Sequence, residues 1–343
     1  MRKIIKTPAL KTAVVSFNKN LFLGRGPDFE MPMDRLENLK STVTSNGGQE
    51  KFKLSALDMI AYILKIEEEY FRILNADDAE MELLKAEFEK LIPHKSITNL
   101  FWKTVVSAMG YKELREHEFL YFLSSMGIKT CVYCHSQLTL VIEKTYYKKN
   151  YPKLGKVKGQ IKTWKGLLEL DHKHPKSKYP FLSTSFYNLY PVCGSCNKAK
   201  STGDVNFFLY NDTGSPEVFK FFIDNQSLIK YKTKANPADL EIKFKHVLPA
   251  NVANDAFLEH YEKLFSISKI YNMQKDVAEE LIIKQAVYSK PYVESLFNRF
   301  RSLFPDKKII NRLLIGNYDE PDDVHKRPMA KFVQDISKDI GLL

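Results

Sequence analysis

Tyr187-Asn188-Leu189-Tyr190-Pro191-Val192-Cys193-Gly194-Ser195-Cys196-Asn197-Lys198-Ala199-Lys200 holds two of the four cysteines of this 343-residue chain. The other two stand in Cys131-Val132-Tyr133-Cys134, with 58 residues between the pairs. Two thiolates separated by two residues can hold one ion on a tight turn, and two such turns close the four-thiolate shell of a structural zinc site. A redox Cys-x-x-Cys needs one pair in a βαβ setting, not two pairs. Four cysteines are also too few for a disulfide scaffold. The 58-residue gap exceeds the usual ribbon spacing and implies an inserted element between the knuckles. His135 reads as a neighbour of the thiolates rather than a ligand.

Charge marks the same region. The chain carries 52 Lys+Arg against 41 Asp+Glu, a net +11. Residues 141–200 hold 13 lysines and only three acids (Glu143, Glu169, Asp171), so +10 of the excess falls in one window. A positive window in an otherwise balanced chain points to a polyanion site. The plainer reading is a solvated lysine-rich loop.

Inside the window the chain reads Leu168-Glu169-Leu170-Asp171-His172-Lys173-His174-Pro175-Lys176-Ser177. An Asp-His pair ends an apolar strand, an Asn-Leu-x-Pro strand follows, and Cys-x-x-Cys-Asn-x-x-Lys opens a helix. Over residues 131–205 this order, with both cysteine pairs in register, resembles the zinc-ribbon branch of the HNH endonuclease family. The resemblance implies a ββα-metal fold, two short strands and a helix around one catalytic divalent ion. It implies Asp171 as a metal ligand, His172 as general base and Asn188 as the asparagine that pins the loop between the strands. Asn197 takes the place of the last family histidine, an HNN variant that still offers an oxygen ligand.

The chemistry suits that allocation. Phosphodiester hydrolysis needs a deprotonated water and a cation against charge growing on phosphorus. A neutral imidazole accepts the water proton. A carboxylate and an amide oxygen suit Mg2+ or Mn2+, which keep several waters. On a plain strand Asp171 and His172 point to opposite faces, so a local twist is expected.

Other candidates are nucleic-acid contacts. Lys176 and Ser177 follow Pro175, and Lys200 stands about one helical turn past Asn197, each placed to meet a phosphate. His174 reads as a packed neighbour of the site. In the insertion 141–166, Lys144, Lys148, Lys149, Lys153, Lys156, Lys158, Lys162 and Lys165 interleave with Tyr146, Tyr147, Tyr151 and Trp164. Lysines neutralise phosphates and aromatics stack on unpaired bases.

The flanks complete an α+β, mainly α architecture in three segments: a helical region 1–125, a nuclease domain 126–210 and a mixed region 211–343, helical after 255. A break at Asn46-Gly47-Gly48 precedes a capping box at Ser55-x-x-Asp58 and a stripe of Met59, Ile63, Ile66, Tyr70 and Ile73. Val218–Ile223 and Ser227–Tyr231 around Asp224-Asn225-Gln226 read as a β-hairpin. Leu240, Ile242 and Phe244 form a half-exposed strand. Pro291 opens a helix carrying Val293, Leu296, Phe297 and Phe300. The last helix, near 329–340, is amphipathic and fits either the body or a second subunit. No run of about 18 apolar residues suggests a membrane span. The N-terminus lacks a long apolar core and cleavage site, so the cytoplasm is the expected compartment.

Together these readings predict a metal-dependent endonuclease for DNA, with structural Zn2+, catalytic Mg2+ or Mn2+, and a setting in bacterial anti-phage defence or restriction. No helicase or ATPase motif is present, so a separate sensor or ATPase subunit is expected, and duplex breaks call for a homodimer or two nicks. The rivals are a non-catalytic zinc-ribbon nucleic-acid-binding module and a nuclease for RNA or structured junctions.

Overall fold

In the computed structural model the described residues are 2–45, 47–96, 98–152, 156–212, 217–249 and 251–343. Lys153 of the lysine-rich insertion and Asn46 of the expected break lie outside them. The fold is α+β and mainly helical, with a buried four-cysteine cluster.

The N-terminal helices start where short polar side chains satisfy the first free N–H groups. Thr7, Ser55, Asp77 and Thr98 accept from Leu10, Asp58, Glu80 and Phe101 N–H and open the helices Pro8–Lys19, Ala56–Glu68, Asp78–Glu89 and Asn99–Ala108. Each such cap contributes about 1 kcal/mol. Met59, Tyr62, Ile63 and Ile66 form the buried stripe of Ala56–Glu68, as the 3.6-residue period requires. Phe88 stacks on Phe181 at 3.9 Å between centroids, and Phe17 and Phe122 close around Phe186. These aromatic contacts hold the site loop 173–188 against the helices.

Among the described residues eight strands form four two-stranded sheets: β1 (Ile4–Ile5), β2 (Leu140–Tyr146), β3 (Ile161–Leu167), β4 (Glu169–His172), β5 (Leu189–Val192), β6 (Tyr210–Asn211), β7 (Phe219–Ile223) and β8 (Ile242–His246). β1 and β6 run parallel, and the other pairs are antiparallel. β2 and β3 form a hairpin from the lysine-rich insertion. β4 and β5 pair Asp171 with Tyr190 and His172 with Leu189, and the helix Gly194–Lys200 follows directly.

The hairpin expected at 218–231 is replaced by strand and helix. Asp224 accepts from Ser227 N–H, and the Ser227 hydroxyl bonds the Asp224 carbonyl. That cap starts the helix Asn225–Lys234, so β7 pairs with β8 instead. An N-capping aspartate outweighed the apolar alternation.

The last helix, Ala330–Asp339, docks on the body. Its Asp335 and Asp339 carboxylates accept from Phe221 and Ile223 N–H, filling the free edge of β7. Buried Lys331 balances Asp335 at 2.7 Å and Glu217 at 3.2 Å. One cluster of buried apolar side chains runs from Val14 to Leu342 and joins the three segments. Among the described residues, no helix is long and apolar enough to cross a membrane.

Candidate active site and metal centre

The two cysteine turns meet although 58 residues separate them. The Sγ atoms of Cys131, Cys134, Cys193 and Cys196 lie within 4.8 Å of one another, all buried. A tetrahedral zinc with Zn–S bonds of about 2.3 Å requires sulfurs roughly 4 Å apart, so the set fits one such ion. Burial pushes the Cys131 thiol up, an ionisation cost that a cation in the shell would offset. Tyr261 and Tyr271 hydroxyls donate to the carbonyls of Tyr133 and Cys134 at 2.7 and 2.8 Å. The C-terminal helices therefore clamp the first knuckle. His135 stays outside the thiol cluster, at φ 54° with its ring 5.1 Å from that of His325.

Beside the knuckles, β4, the turn after it and the helix Gly194–Lys200 line a cleft of about 260 Å³, with β5 paired to β4. Asp171, His172, Lys176, Ser177 and Asn197 all line it, with Trp102 and Thr202 on its rim. The strand ends at His172 and the chain bends through Lys173 and His174, which lets neighbours in sequence share one cleft.

Asp171 is buried, with one hydrogen-bond partner on each oxygen. Its Oδ2 accepts from the Tyr133 hydroxyl at 2.6 Å and its Oδ1 from Lys200 Nζ at 3.1 Å. Burial raises its pKa, and Lys200 and Tyr133 oppose that shift. His172 Nε2 lies 3.0 Å from the Ser183 carbonyl, which only accepts. Nε2 therefore carries the proton and Nδ1 the basic lone pair. Burial, with Lys176 adding, pushes the imidazole down to about 3, so it is neutral at physiological pH. The His172 ring sits 4.8 Å from that of Tyr111.

Asn188 accepts from His174 N–H at 2.7 Å and donates to the His174 and Leu182 carbonyls at 3.1 and 2.9 Å. It ties both ends of the site loop together. Asn197 donates from Nδ2 to Glu169, which leaves its Oδ1 available. Sequence reasoning passed over Glu169, although residues two apart share a strand face and Glu169 lies two before Asp171. Tyr133 and Tyr111 were missed too, and nothing in local spacing marks them.

Lys200 departs from expectation. It is 2% exposed, and its ammonium donates to Asp171 and to the His172 carbonyl at 2.7 Å, out of reach of a phosphate on the surface. Lys176 is half-buried at the cleft wall, 4.9 Å over the Tyr111 ring. Lys148, Lys149, Lys158 and Lys162 are exposed on the hairpin β2–β3 and its connection, away from the cleft lining. His174 is buried against Lys173 and within 3.5 Å of Glu82.

For a hard divalent cation the cleft offers the Asp171 carboxylate and the Asn197 amide oxygen, a donor pair that suits Mg2+ or Mn2+. Each carboxylate oxygen keeps a lone pair beyond the bond it makes here.

No protein-family model matches this chain, and no solved structure matches it. It is similar to the Septu protein PtuB of Bacillus thuringiensis, 25% identical over 157 residues, or 44% of this chain and 52% of that protein. The chain thus spans about half the length of the curated relative it matches.

Proposed function

We propose that this protein is a metal-dependent HNH-type endonuclease that hydrolyses DNA phosphodiester bonds within an anti-phage defence system. One observation carries the reading: Asp171, His172 and Asn197 line a single cleft at the junction of two antiparallel strands and a helix. The segments 1–125, 126–210 and 211–343 are then a helical flank, the nuclease domain and a mixed flank. The defence setting rests on the likeness to the Septu protein PtuB. A partner subunit of a multi-component system follows from the same likeness, and homodimers remain the other route to duplex breaks.

In this reading each side chain has a defined task. His172, held by the Ser183 carbonyl, takes a proton from the attacking water at Nδ1. Lys176 meets the phosphate charge; burial is the larger cause holding the His172 imidazole down, and a bound anion would offset only the smaller share that comes from Lys176. Asp171 and Asn197 would hold the divalent ion, which supplies charge neutralisation for phosphorus and the leaving oxygen. Glu169 orients the Asn197 amide so that its oxygen is the free atom. Lys200 keeps Asp171 ionised in a buried setting. Structural zinc at Cys131, Cys134, Cys193 and Cys196 fixes the strand-to-helix geometry.

A non-catalytic module gains support from the occupied state of Asp171, whose two oxygens already have partners. Incubating the protein with supercoiled plasmid and Mg2+ or Mn2+ separates the readings. Cleavage that His172→Ala and Asn197→Ala both lose supports the nuclease. Unchanged cleavage by His172→Ala removes the assigned base, and no cleavage with or without a partner subunit favours the binding module.

A further inference from the structure

A second groove lies next to the cleft. Its walls are the π-helical turn Leu114–Glu118 and strand β3, and it encloses about 340 Å³. Arg115, His117, Lys144 and Lys165 line it together with Trp164, and Glu116 is the one acid of the lining. Arg115 pairs with Glu116 at 2.9 Å on an exposed surface, a contact worth little and readily exchanged. Lys144 and Lys165 have no carboxylate partner among the described residues.

The aromatic component is as specific as the charge. Trp164 is half-buried, and the ring of Tyr121, 67% exposed, stands 6.4 Å from it at an interplanar angle of 64°. Gly166 lets the hairpin close on the helix behind, since a Cβ there would meet Leu120 Cδ2 at 2.9 Å.

Tyr111 joins this groove to the cleft. Its ring carries Arg115 at 5.9 Å and Lys176 at 4.9 Å, and it packs on His172 at 4.8 Å. A cationic track thus runs from the cleft, through Lys176 and Arg115, to Lys144 and Lys165. Confined space, an indole and unpaired cations are what a flexible strand with exposed bases requires, whereas a duplex hides its base faces and is too wide to enter.

We propose that this groove binds an unpaired nucleic-acid strand leading into the cleft, with Trp164 stacking on a base and Arg115, Lys144 and Lys165 meeting its phosphates. The inference rests on the nuclease reading for its purpose and deepens it to a single-stranded substrate, but its binding test stands apart from cleavage. Fluorescence anisotropy of the full chain, without added divalent cation, would use labelled oligo(dT), oligo(rU) and a blunt duplex of about 20 units, longer than a typical single-strand site. Trp164→Ala is expected to weaken single-strand binding by about tenfold or more, the effect of losing one stacked base, with Trp164→Phe intermediate. Lys165→Ala should lower the salt slope of single-strand binding by about 0.7. Duplex binding should change less than about twofold in each variant.

Equal losses for strand and duplex would overturn the proposal, as would unaltered binding by Trp164→Ala or no binding of either oligonucleotide by the wild type. The deoxy and ribo arms identify which strand is preferred. Trp164-dependent binding by a protein that, with Mg2+ or Mn2+, cuts neither plasmid nor the oligonucleotides it binds leaves the groove standing and removes the nuclease reading. Cutting without that dependence does the reverse.

Discussion

The Lys200 ammonium lies 3.1 Å from Asp171 Oδ1, and both side chains are buried. Taking two charges out of water is repaid only when each keeps partners, which the Tyr133 hydroxyl and the His172 carbonyl supply here. Removing one member leaves an uncompensated charge. Lys200→Met should therefore cost about 3–5 kcal/mol in urea unfolding. The double variant Lys200→Met/Asp171→Asn should recover most of that loss. A cost below about 1 kcal/mol for the single variant would mean that Asp171 is held by Tyr133 alone.

Zinc provides a second test. The four sulfurs are buried within 4.8 Å of one another, and the knuckle carbonyls are clamped by Tyr261 and Tyr271. Metal analysis of protein purified without chelator should find about one zinc per chain, as four thiolates in one shell require. Cys193→Ser should lose most of it, and chelation should lower the melting temperature by about 10 °C or more. Zinc-free protein with unchanged melting would overturn the assignment.

The parts of this site that could be read in the sequence are those set by short-range spacing. Cys131 and Cys134, like Cys193 and Cys196, announce themselves in pairs, and Asp171, His172 and Asn197 fall in a recognisable order around them. What sequence hides is whatever a distant element supplies. Tyr261 and Tyr271 reach the first knuckle from 128 and 137 residues away. Tyr111 approaches His172 from the helical flank and Tyr133 reaches Asp171 across 38 residues, and Lys200 turns inward because Asp171 is there to receive it. The misread hairpin at 218–231 had a local cause, an N-capping Asp224 whose signal was present but ranked below the apolar alternation.

Buried histidines set the acid limit of the fold. Burial pushes His174 down to about 3 and His325 down to about 4. In the unfolded chain both titrate near 6.5. Their contribution is whole above that pH. As pH falls from 6.5 toward the folded-state values the unfolded chain takes up protons that the fold refuses, and stability drops by about 1.4 kcal/mol per pH unit for each. His172, pushed down to about 3, and His135, pushed well below its usual value, add to the same slope, which urea midpoints between pH 7 and 4.5 should show. His325→Gln should flatten it by about one histidine's share, and an unchanged slope would show that His325 is protonated in the fold.

Asn188 is fully buried and makes three hydrogen bonds, accepting from His174 N–H and donating to the His174 and Leu182 carbonyls. The loop it closes also presents the Ser183 carbonyl to His172. Asn188→Ala would leave those buried backbone groups short of partners, a cost of about 3 kcal/mol. Asn188→Asp keeps the acceptor for His174 N–H but sets a carboxylate against two carbonyl oxygens, so it should destabilise at least as much as alanine despite its matching shape. Chemical denaturation measures both. In the plasmid assay each should cut less than the wild type by about tenfold or more, because a slack loop no longer fixes the imidazole tautomer. An Asn188→Asp protein as stable as the wild type would mean that the new carboxyl stays protonated and donates to a carbonyl where the amide did.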